Sequence, residues 1–279
     1  RQTIMTILPW IYLFLLLGLL GVLAWAARGG QAAPQPPGPP AWLLDLAALA
    51  ILALAALGFF WRVVSGQGWM PADGGDLASF LFPTYRFAAA TLHSGAWPLW
   101  NPYLYAGAPH VADIQAGFLY PPNLLLFLLW PDFPYRVMQW LSIGHIWFAG
   151  AGMYLFLHYG LPTSARRSGV ARLPALAGAL AFMFSDAFII HFGNLNFLAV
   201  VAWLPLVFWA YCAGLHDGTP RPRQAALAGL VLAIGSLAGH IQATLFILLG
   251  LAFYTAAWLW LGRDEPAPAR RALAALGYL

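Results

Sequence analysis

Apolar segments about as long as a bilayer is thick occupy most of this sequence and decide its fold class. An α-helix needs about 20 apolar residues to cross the hydrocarbon core. The predicted spans are Ile4–Ala27, Trp42–Val64, Tyr135–Leu157, Leu173–Ile190, Leu195–Leu215, Gln224–Ala238 and Gln242–Leu261, and another begins near Ala272. Only 8% of the residues are charged, about a third of the share in soluble domains. The sequence therefore predicts an all-α polytopic membrane protein.

The basic residues, all thirteen of them arginine, predict the orientation of these spans. Eight lie in three segments that follow or separate spans: Arg166, Arg167, Arg172, Arg221, Arg223, Arg263, Arg270 and Arg271. The turns 191–196 and 239–242 carry none. Because arginine-rich loops stay in the cytoplasm, these turns and the loop 65–134 are predicted to face outside. The need to orient the spans in the membrane accounts for the arginines and hence for the positive net charge. We therefore predict no nucleic-acid partner.

The chain divides into three predicted regions. Residues 1–27 form an extra N-terminal transmembrane helix, with a cleaved signal peptide as the alternative. Residues 28–41 contain the Pro-rich linker QAAPQPPGPP, which cannot be helical. Residues 42–279 form the main transmembrane region, which we expect to be truncated at the C-terminus because an apolar run is just beginning there.

The loop 65–134 is the main polar part of the chain and the predicted carrier of its chemistry. A loop of this length is usually functional or disordered, and its many aromatic residues argue against disorder. Asp76 is predicted to cap a helix that lies in the membrane interface. The apolar stripe of that helix is Leu77, Phe80, Leu81, Tyr85, Ala88 and Leu92. Residues 123–130 predict a second interfacial helix.

Two acidic residues in this loop are candidates for catalysis. Asp76 could act as a general base on an acceptor hydroxyl, or it could be a helix cap and nothing more. Asp73 precedes it in the Gly-rich turn ADGGD. Together the two carboxylates could hold a divalent cation such as Mg²⁺ or Mn²⁺, although two ligands are an incomplete site and no cofactor is assigned.

Other polar residues of the loop are candidate binding groups. His110, Asp113 and Gln115 could bind sugar hydroxyls, or satisfy the backbone groups of their own turns. Arg86 and Arg136 could hold the phosphate of a lipid-linked substrate, or extend to lipid headgroups.

The two Arg-free turns repeat one pattern, a histidine with amide residues. The first carries His191, Asn194 and Asn196, with Asp186 just before it, and the second carries His240 and Gln242. Polar groups at membrane depth are costly and are often functional, but they also hydrogen-bond between helices. Both interpretations remain open for these turns. For His145, which lies in the middle of a span, the favoured interpretation is a hydrogen bond between helices.

Four motifs in order resemble the YfhO-like family of bacterial membrane proteins. They are GDLASFLFPTYRF, GAWPLWNPYLYAGAPHVADIQAGFLYPPNLL, FMFSDAFIIHFGNLNFLAVVAWLPLVF and AGHIQATLF, which together run from Gly75 to Phe246. The resemblance implies a GT-C-like transmembrane helix bundle with a large first extracytoplasmic loop. It also implies a bacterial cytoplasmic membrane, with the active site on its extracytoplasmic side.

The same resemblance implies a glycosyltransferase. Such enzymes move a sugar from a polyprenyl-phosphate donor to an acceptor outside the membrane, here a cell-envelope glycan or lipid. Asp76 occupies the place of the catalytic carboxylate. The implied site-lining residues are Asn101, Gln115, His191, Asn194, Asn196, His240 and Gln242. The sequence departs from the pattern at Asp113, where the family often has Asn, and at Asp186, where it usually has Gly.

A non-enzymatic transporter or flippase of lipid or sugar is the alternative. Transporters place polar groups or broken helices near the middle of the bilayer, whereas most polar candidates here lie at the predicted outer ends of the spans. The sequence contains no P-loop, GxGxxG, HExxH or GxSxG motif. We therefore favour an enzyme that does not use a nucleotide in these residues.

Overall fold

A computed structural model describes residues 17–18, 20–21, 39–161, 170–215 and 222–261. Several predictions fall wholly or largely outside these residues: the first span, the Pro-rich linker, the span near Ala272, and the arginines 166, 167, 221, 263, 270 and 271.

The described part of the chain is mostly helical. Its elements are α1 (Ala41–Phe59), α2 (Trp61–Val64), α3 (Phe82–His93), β1 (Trp100–Asn101), β2 (Ala108–Pro109), α4 (Pro121–Leu129), α5 (Arg136–Leu155), α6 (Arg172–Met183), α7 (Asp186–Ile189), α8 (Leu195–Ala202), α9 (Leu204–Leu215), α10 (Pro222–Ser236) and α11 (Ile241–Leu261). Wide π-helical turns, Leu77–Leu81 and Phe156–Gly160, precede α3 and extend α5.

Four helical segments of the described chain are long and apolar enough to span a membrane. They are Ala41–Phe59, Arg136–Gly160, Leu195–Gly214 and Ile241–Trp260. A fifth is possible if the pair α6 and α7, bent by 42°, counts as one span. These segments agree with the predicted spans, and α10 is short, as its sequence indicated.

One predicted span is interrupted. The span predicted over Leu173–Ile190 ends its first helix at Met183, and Ser185 then has an extended backbone. The span predicted over Leu195–Leu215 continues from α8 into α9, because Trp203 between them keeps helical backbone angles, φ −81° and ψ −15°. Pro205 follows, and its missing N–H removes one helical hydrogen bond there.

The long helix α5 is the centre of the bundle. It packs against α1, α6 and α8. At Gly150 a β-carbon would lie 2.6 Å from the sulfur of Met183 in α6. A small residue at this position therefore lets the two helices approach closely, as is common in membrane proteins.

The bundle has two ends, and the loop 65–134 lies at one of them, here called the loop end. Four of the six residues of the predicted stripe, Leu77, Leu81, Tyr85 and Ala88, are at most 1% exposed. The other two, Phe80 and Leu92, are partly buried, so the stripe that runs through the π-helical turn into α3 is confirmed in its main part. Gly95, at a φ of +82°, follows the end of α3. The second helix of the loop is confirmed as α4. The short hairpin of β1 and β2 between these helices was not predicted.

The opposite end is held by a polar cluster around Asp45, here called the Asp45 cluster. The carboxylate of Asp45 accepts hydrogen bonds from Arg172 Nε at 2.8 Å, from Tyr154 at 2.7 Å and from Tyr159. The ring of His158 lies 3.9 Å from the same carboxylate. This network joins α1, the end of α5 and the start of α6.

Candidate functional site

Three turns from distant parts of the sequence meet at the loop end and form the loop-end cluster. They are residues 113–117, 191–196 and 238–242. The side chain of Asn196 donates a hydrogen bond to the carbonyl oxygen of Gln115. A β-carbon on Gly239 would lie only 1.8 Å from the carbonyl oxygen of Ile114, and one on Gly117 would lie 2.9 Å from that of Ala238. The two predicted outside turns therefore adjoin the loop, as expected.

Glycine is required where these turns meet. Gly239 has a φ of +91° and Gly117 a φ of +53°. These left-handed conformations are costly for residues with a side chain, and a β-carbon would also strike the neighbouring backbone. The contact between the loop and the last turn thus depends on two backbones passing directly against each other.

His191 and His240 both contact the ring of Phe197. The His191 ring stacks on Phe197 with centroids 4.3 Å apart, and His240 meets the ring edge-on at 5.2 Å. His240 Nδ1 accepts the backbone N–H of Ala243 at 3.1 Å and so caps α11. His191 Nδ1 donates to the carbonyl of Ala187 at 3.1 Å.

These hydrogen bonds fix which ring nitrogens are available for a ligand. In the neutral rings, Nε2 of His240 carries the proton and can donate, whereas Nε2 of His191 can accept. Burial, with a contribution from nearby His191, lowers the pKa of His240. The pair therefore offers one donor and one acceptor to a polar ligand such as a sugar hydroxyl.

The segment of Asp73 and Asp76 lies beside this cluster. A β-carbon on Gly193 would lie 2.8 Å from the ring of Pro71, and one on Gly75 would lie 3.2 Å from the same ring. Gly74 and Gly75 both have positive φ values, +81° and +45°, so the predicted Gly-rich turn is confirmed. Asp76 directly follows this turn, and its side chain is exposed.

The prediction that Asp76 caps a helix is wrong. A capping residue needs a non-helical backbone so that its side chain can reach back to the first N–H groups. Asp76 instead has helical angles, φ −61° and ψ −28°, and its carboxylate makes no capping hydrogen bond. Within the described residues it forms neither a hydrogen bond nor an ion pair. The alternative in which Asp76 serves only as a helix cap is therefore excluded.

Several other predicted site residues satisfy local backbone groups. Asn101 accepts the N–H of Tyr103 at 3.0 Å, Asp113 accepts that of Gln115 at 3.0 Å, and Asn194 accepts that of Phe197 at 3.2 Å. Each of these three side chains therefore has the structural role that its type favours in turns and helix caps.

The remaining predicted residues differ in exposure. Asp186 is exposed in the first turn of α7, and Gln242 is exposed in that of α11. His110 is only 3% exposed, and its Nε2 has no hydrogen-bond partner. Burial lowers the pKa of His110, which favours the neutral ring, and Asp113 opposes this effect.

The two candidate phosphate-binding arginines differ. Arg86 forms an ion pair with Asp132 and donates to the carbonyl of Phe133 at 2.9 Å. It ties α3 to the segment before α5, so a substrate phosphate would have to displace Asp132. Arg136 is exposed at the start of α5.

One buried hydrogen-bonded group, Asn123, was missed by the sequence reasoning. Asn123 donates to the Tyr85 hydroxyl at 2.6 Å and to the Gly117 carbonyl at 3.0 Å, which fixes the turn 113–117. Its polar position in the FLYPPN motif was the available signal.

The hydrogen-bonding role favoured for His145 is confirmed. His145 accepts from Tyr120 at 2.9 Å, and Tyr120 accepts from the Trp203 indole at 2.9 Å.

Two apolar cavities lie along α5 and share Trp140 and Gly144. One, of about 350 Å³, is also lined by Tyr120, His145 and Trp203, and the other, of about 330 Å³, faces α1. None of the predicted catalytic or substrate-binding residues lines either cavity. The described residues also contain no group of three or more His, Cys, Asp or Glu side chains that could hold a metal ion.

Comparison with protein-family models, with curated proteins and with solved structures finds no match for this chain. The geometry of the residues must therefore carry the argument about function.

Proposed function

We propose that this protein is a membrane glycosyltransferase of the GT-C type. In this proposal Asp76 is the general base that takes the proton from an acceptor hydroxyl. The donor is a polyprenyl-phosphate sugar, and the acceptor is a cell-envelope glycan or lipid. The reaction takes place on the extracytoplasmic face of the bacterial cytoplasmic membrane.

One observation carries the proposal: the Asp76 carboxylate is exposed and is not used by its own helix. A general base must keep a lone pair available for the incoming hydroxyl. Asp76 directly follows the turn that packs beside Gly193. His191, His240 and Gln115 therefore belong to the same end of the molecule and supply polar groups for a sugar.

The surroundings of the cluster suit a donor carried by a lipid. The apolar cavity lined by Tyr120, Trp140 and Trp203 offers a surface for part of a hydrocarbon chain. A lipid phosphate is a good leaving group and needs no general acid. Exposed Arg136 is a better candidate to neutralise that phosphate than Arg86, which is already paired.

Transfer by purified protein from a radiolabelled polyprenyl-phosphate sugar tests this proposal. We expect Asp76→Asn to reduce transfer on the order of 10²–10⁴-fold, the usual contribution of a general base. Asp132→Asn is the matched control, because Asp132 is an exposed carboxylate of the same loop. We expect it to retain most activity. Undiminished transfer by a well-folded Asp76→Asn variant would refute the assignment of the base.

The alternative, a lipid or sugar transporter, is favoured by one observation, the bend of 42° between α6 and α7. Interrupted helices are common in transporter sites. The same donor, placed in one leaflet of a liposome, distinguishes the two functions. A transporter moves the intact donor across the bilayer without forming product, whereas a transferase releases the polyprenyl phosphate.

A further inference from the structure

The segment 97–110, here called the aromatic hairpin, exposes four large aromatic side chains. Trp97, Trp100, Tyr103 and Tyr105 are 64%, 57%, 86% and 86% exposed. Within the described residues, their indole N–H groups and hydroxyls have no hydrogen-bond partner. Because these side chains are exposed, the same groups are accessible to water or to a ligand. A concentration of large exposed rings indicates a binding surface.

The backbone of the hairpin holds these rings in fixed positions. Strands β1 and β2 pair Trp100 with Pro109. Tyr105 and Ala106 have positive φ values of 51° and 62°, which residues other than glycine rarely adopt. Gly107 follows at +117°, and a β-carbon there would lie 2.8 Å from the Trp100 indole. Such backbone strain occurs preferentially at binding and catalytic sites.

Below the hairpin, rings in mutual contact link its two sides. Tyr103 contacts Phe87 at a centroid distance of 6.2 Å, and Phe87 contacts His110 at 5.1 Å. His110 then contacts Phe118 at 6.2 Å, and Phe118 contacts Trp97 at 6.0 Å. The middle of this row is His110, whose buried Nε2 has no partner. Such a group is rare in folded proteins and needs an explanation.

The chemistry of the hairpin suits an uncharged ligand with both apolar and hydroxyl surfaces. Its fourteen residues include no Asp, Glu, Lys or Arg, so it offers no ion pair to a phosphate. A pyranose ring has a face of C–H groups that stacks on an aromatic ring, and a rim of hydroxyls that can bond to indole N–H and phenol groups. We propose that the aromatic hairpin binds the sugar rings of a neutral oligosaccharide.

A lipid surface is the competing ligand, because tryptophan and tyrosine also anchor proteins at membrane interfaces. Helix α4 already presents a separate aliphatic surface through Leu125, Leu128 and Leu129, which are 59%, 53% and 79% exposed. An anchor would not need the strained backbone at Tyr105 and Ala106. These differences favour the oligosaccharide. The proposal does not depend on the transferase activity, because it concerns binding alone.

Binding of cellohexaose to the full chain in lipid nanodiscs, followed by saturation-transfer NMR, tests this proposal. Cellohexaose is chosen because its equatorial hydroxyls leave both ring faces apolar. We expect saturable binding that Trp100→Ala, Tyr103→Ala and Tyr105→Ala each weaken roughly three- to tenfold, the contribution of one aromatic contact. Trp130→Ala is the matched control, since Trp130 is 44% exposed just after α4, and we expect it to leave binding unchanged.

Three outcomes would overturn the proposal. The first is that wild-type protein shows no saturable binding, and the second is that Trp130→Ala weakens binding as much as the hairpin variants do. The third is that a nitroxide on Tyr105→Cys, in a Cys212→Ala background, is shielded from aqueous nickel chelate and exposed to lipid-dissolved oxygen. That result would place the hairpin in the bilayer. Tyr105 keeps the test valid if Trp100→Ala misfolds, because its side chain is almost wholly exposed.

Discussion

The two ends of the helix bundle carry polar clusters of opposite character. In the Asp45 cluster the carboxylate is paired with Arg172 and accepts from both Tyr154 and Tyr159. Its side chain is only 13% exposed. The loop-end cluster contains no ion pair among the residues that the structure describes. There the amide oxygen of Asn196 is buried without a partner, and the ring of His191 is exposed.

The two clusters differ in how much of their hydrogen-bonding capacity is already used within the protein. Within the Asp45 cluster, the carboxylate and its partners bond to one another and join the helices, so few donors or acceptors remain for a ligand. At the loop end three buried atoms, His110 Nε2, Asn123 Oδ1 and Asn196 Oδ1, have no hydrogen-bond partner among the described residues. A buried donor or acceptor without a partner is costly for folding. Three substitutions can break or sharpen this distinction.

The largest effect is expected in the Asp45 cluster. Asp45→Ala leaves Arg172 and the Tyr154 hydroxyl without their shared partner. Removing one member of a buried ion pair typically costs 3–5 kcal/mol, and we expect about 3 kcal/mol here because the cluster is not fully buried. The loss can be measured as the change in thermal or detergent-induced unfolding.

The control for this prediction is the exposed pair at the loop end. Asp132→Ala removes the ion-pair partner of Arg86. The side chain of Asp132 is 81% exposed, and exposed ion pairs contribute little to stability. We also expect Asp45→Leu combined with Arg172→Leu to be more stable than Asp45→Ala, since no unpaired charge remains. Equal stability losses in Asp45→Ala and Asp132→Ala would contradict the distinction between the two ends.

A smaller effect is expected at Gly239 in the loop-end cluster. Gly239→Ala places a β-carbon against the Ile114 carbonyl at a φ of +91°. The two backbones must separate, and we expect a loss of about 2 kcal/mol. Gly144→Ala is the control, because a β-carbon there meets nothing within 4 Å. If Gly239→Ala unfolds no more readily than Gly144→Ala, the turns do not meet as described.

The smallest effect concerns pH and His110. Because burial lowers the pKa of His110, the unfolded chain binds the proton more readily than the folded one. Stability should therefore fall as pH falls from about 6.5, the ordinary histidine value, through the lower pKa of the folded state. His110→Phe removes this contribution and keeps a ring between Phe87 and Phe118.

Thermal unfolding of the wild type and of His110→Phe at pH 5.5 and 7.5 tests this prediction. We expect the wild type to lose roughly 1–3 °C more than the variant on acidification. Part of the dependence should persist in the variant, because burial also lowers the pKa of His240. An identical pH dependence in both proteins would show that His110 is not buried in its neutral form.

Much of the fold follows from sequence pattern because the length and periodicity of apolar segments can be measured along the chain without knowing its packing. The spans from Trp42 to Leu261 were predicted by length and apolarity alone, and the stripe of α3 by its periodicity. The break at Ser185 was not predicted, because the apolar segments on both sides of Ser185 and Asp186 together have the length of one span. The hairpin of β1 and β2 was missed because strands of two residues leave no alternating pattern.

The candidate site was predicted in part. The sequence indicated that the turns of His191 and His240 lie near the loop, and the structure brings them against residues 113–117. It also suggested that Asp76 caps a helix, which is wrong because the helical backbone begins at Asp76 itself. Whether Asn101, Asp113 and Asn194 bind a ligand or satisfy a turn could not be decided from residue type, since the same side chains do both.

By itself the sequence determined that this chain is a bundle of apolar helices with one long polar loop. Apolar length and the distribution of arginine are local properties that need no partner to be interpreted. Only the tertiary structure decided which polar atoms are already used. Asp45 is used by residues more than a hundred positions away, whereas Asp76 is left available by the residues beside it. That distinction depends on packing between distant segments, which no local pattern encodes.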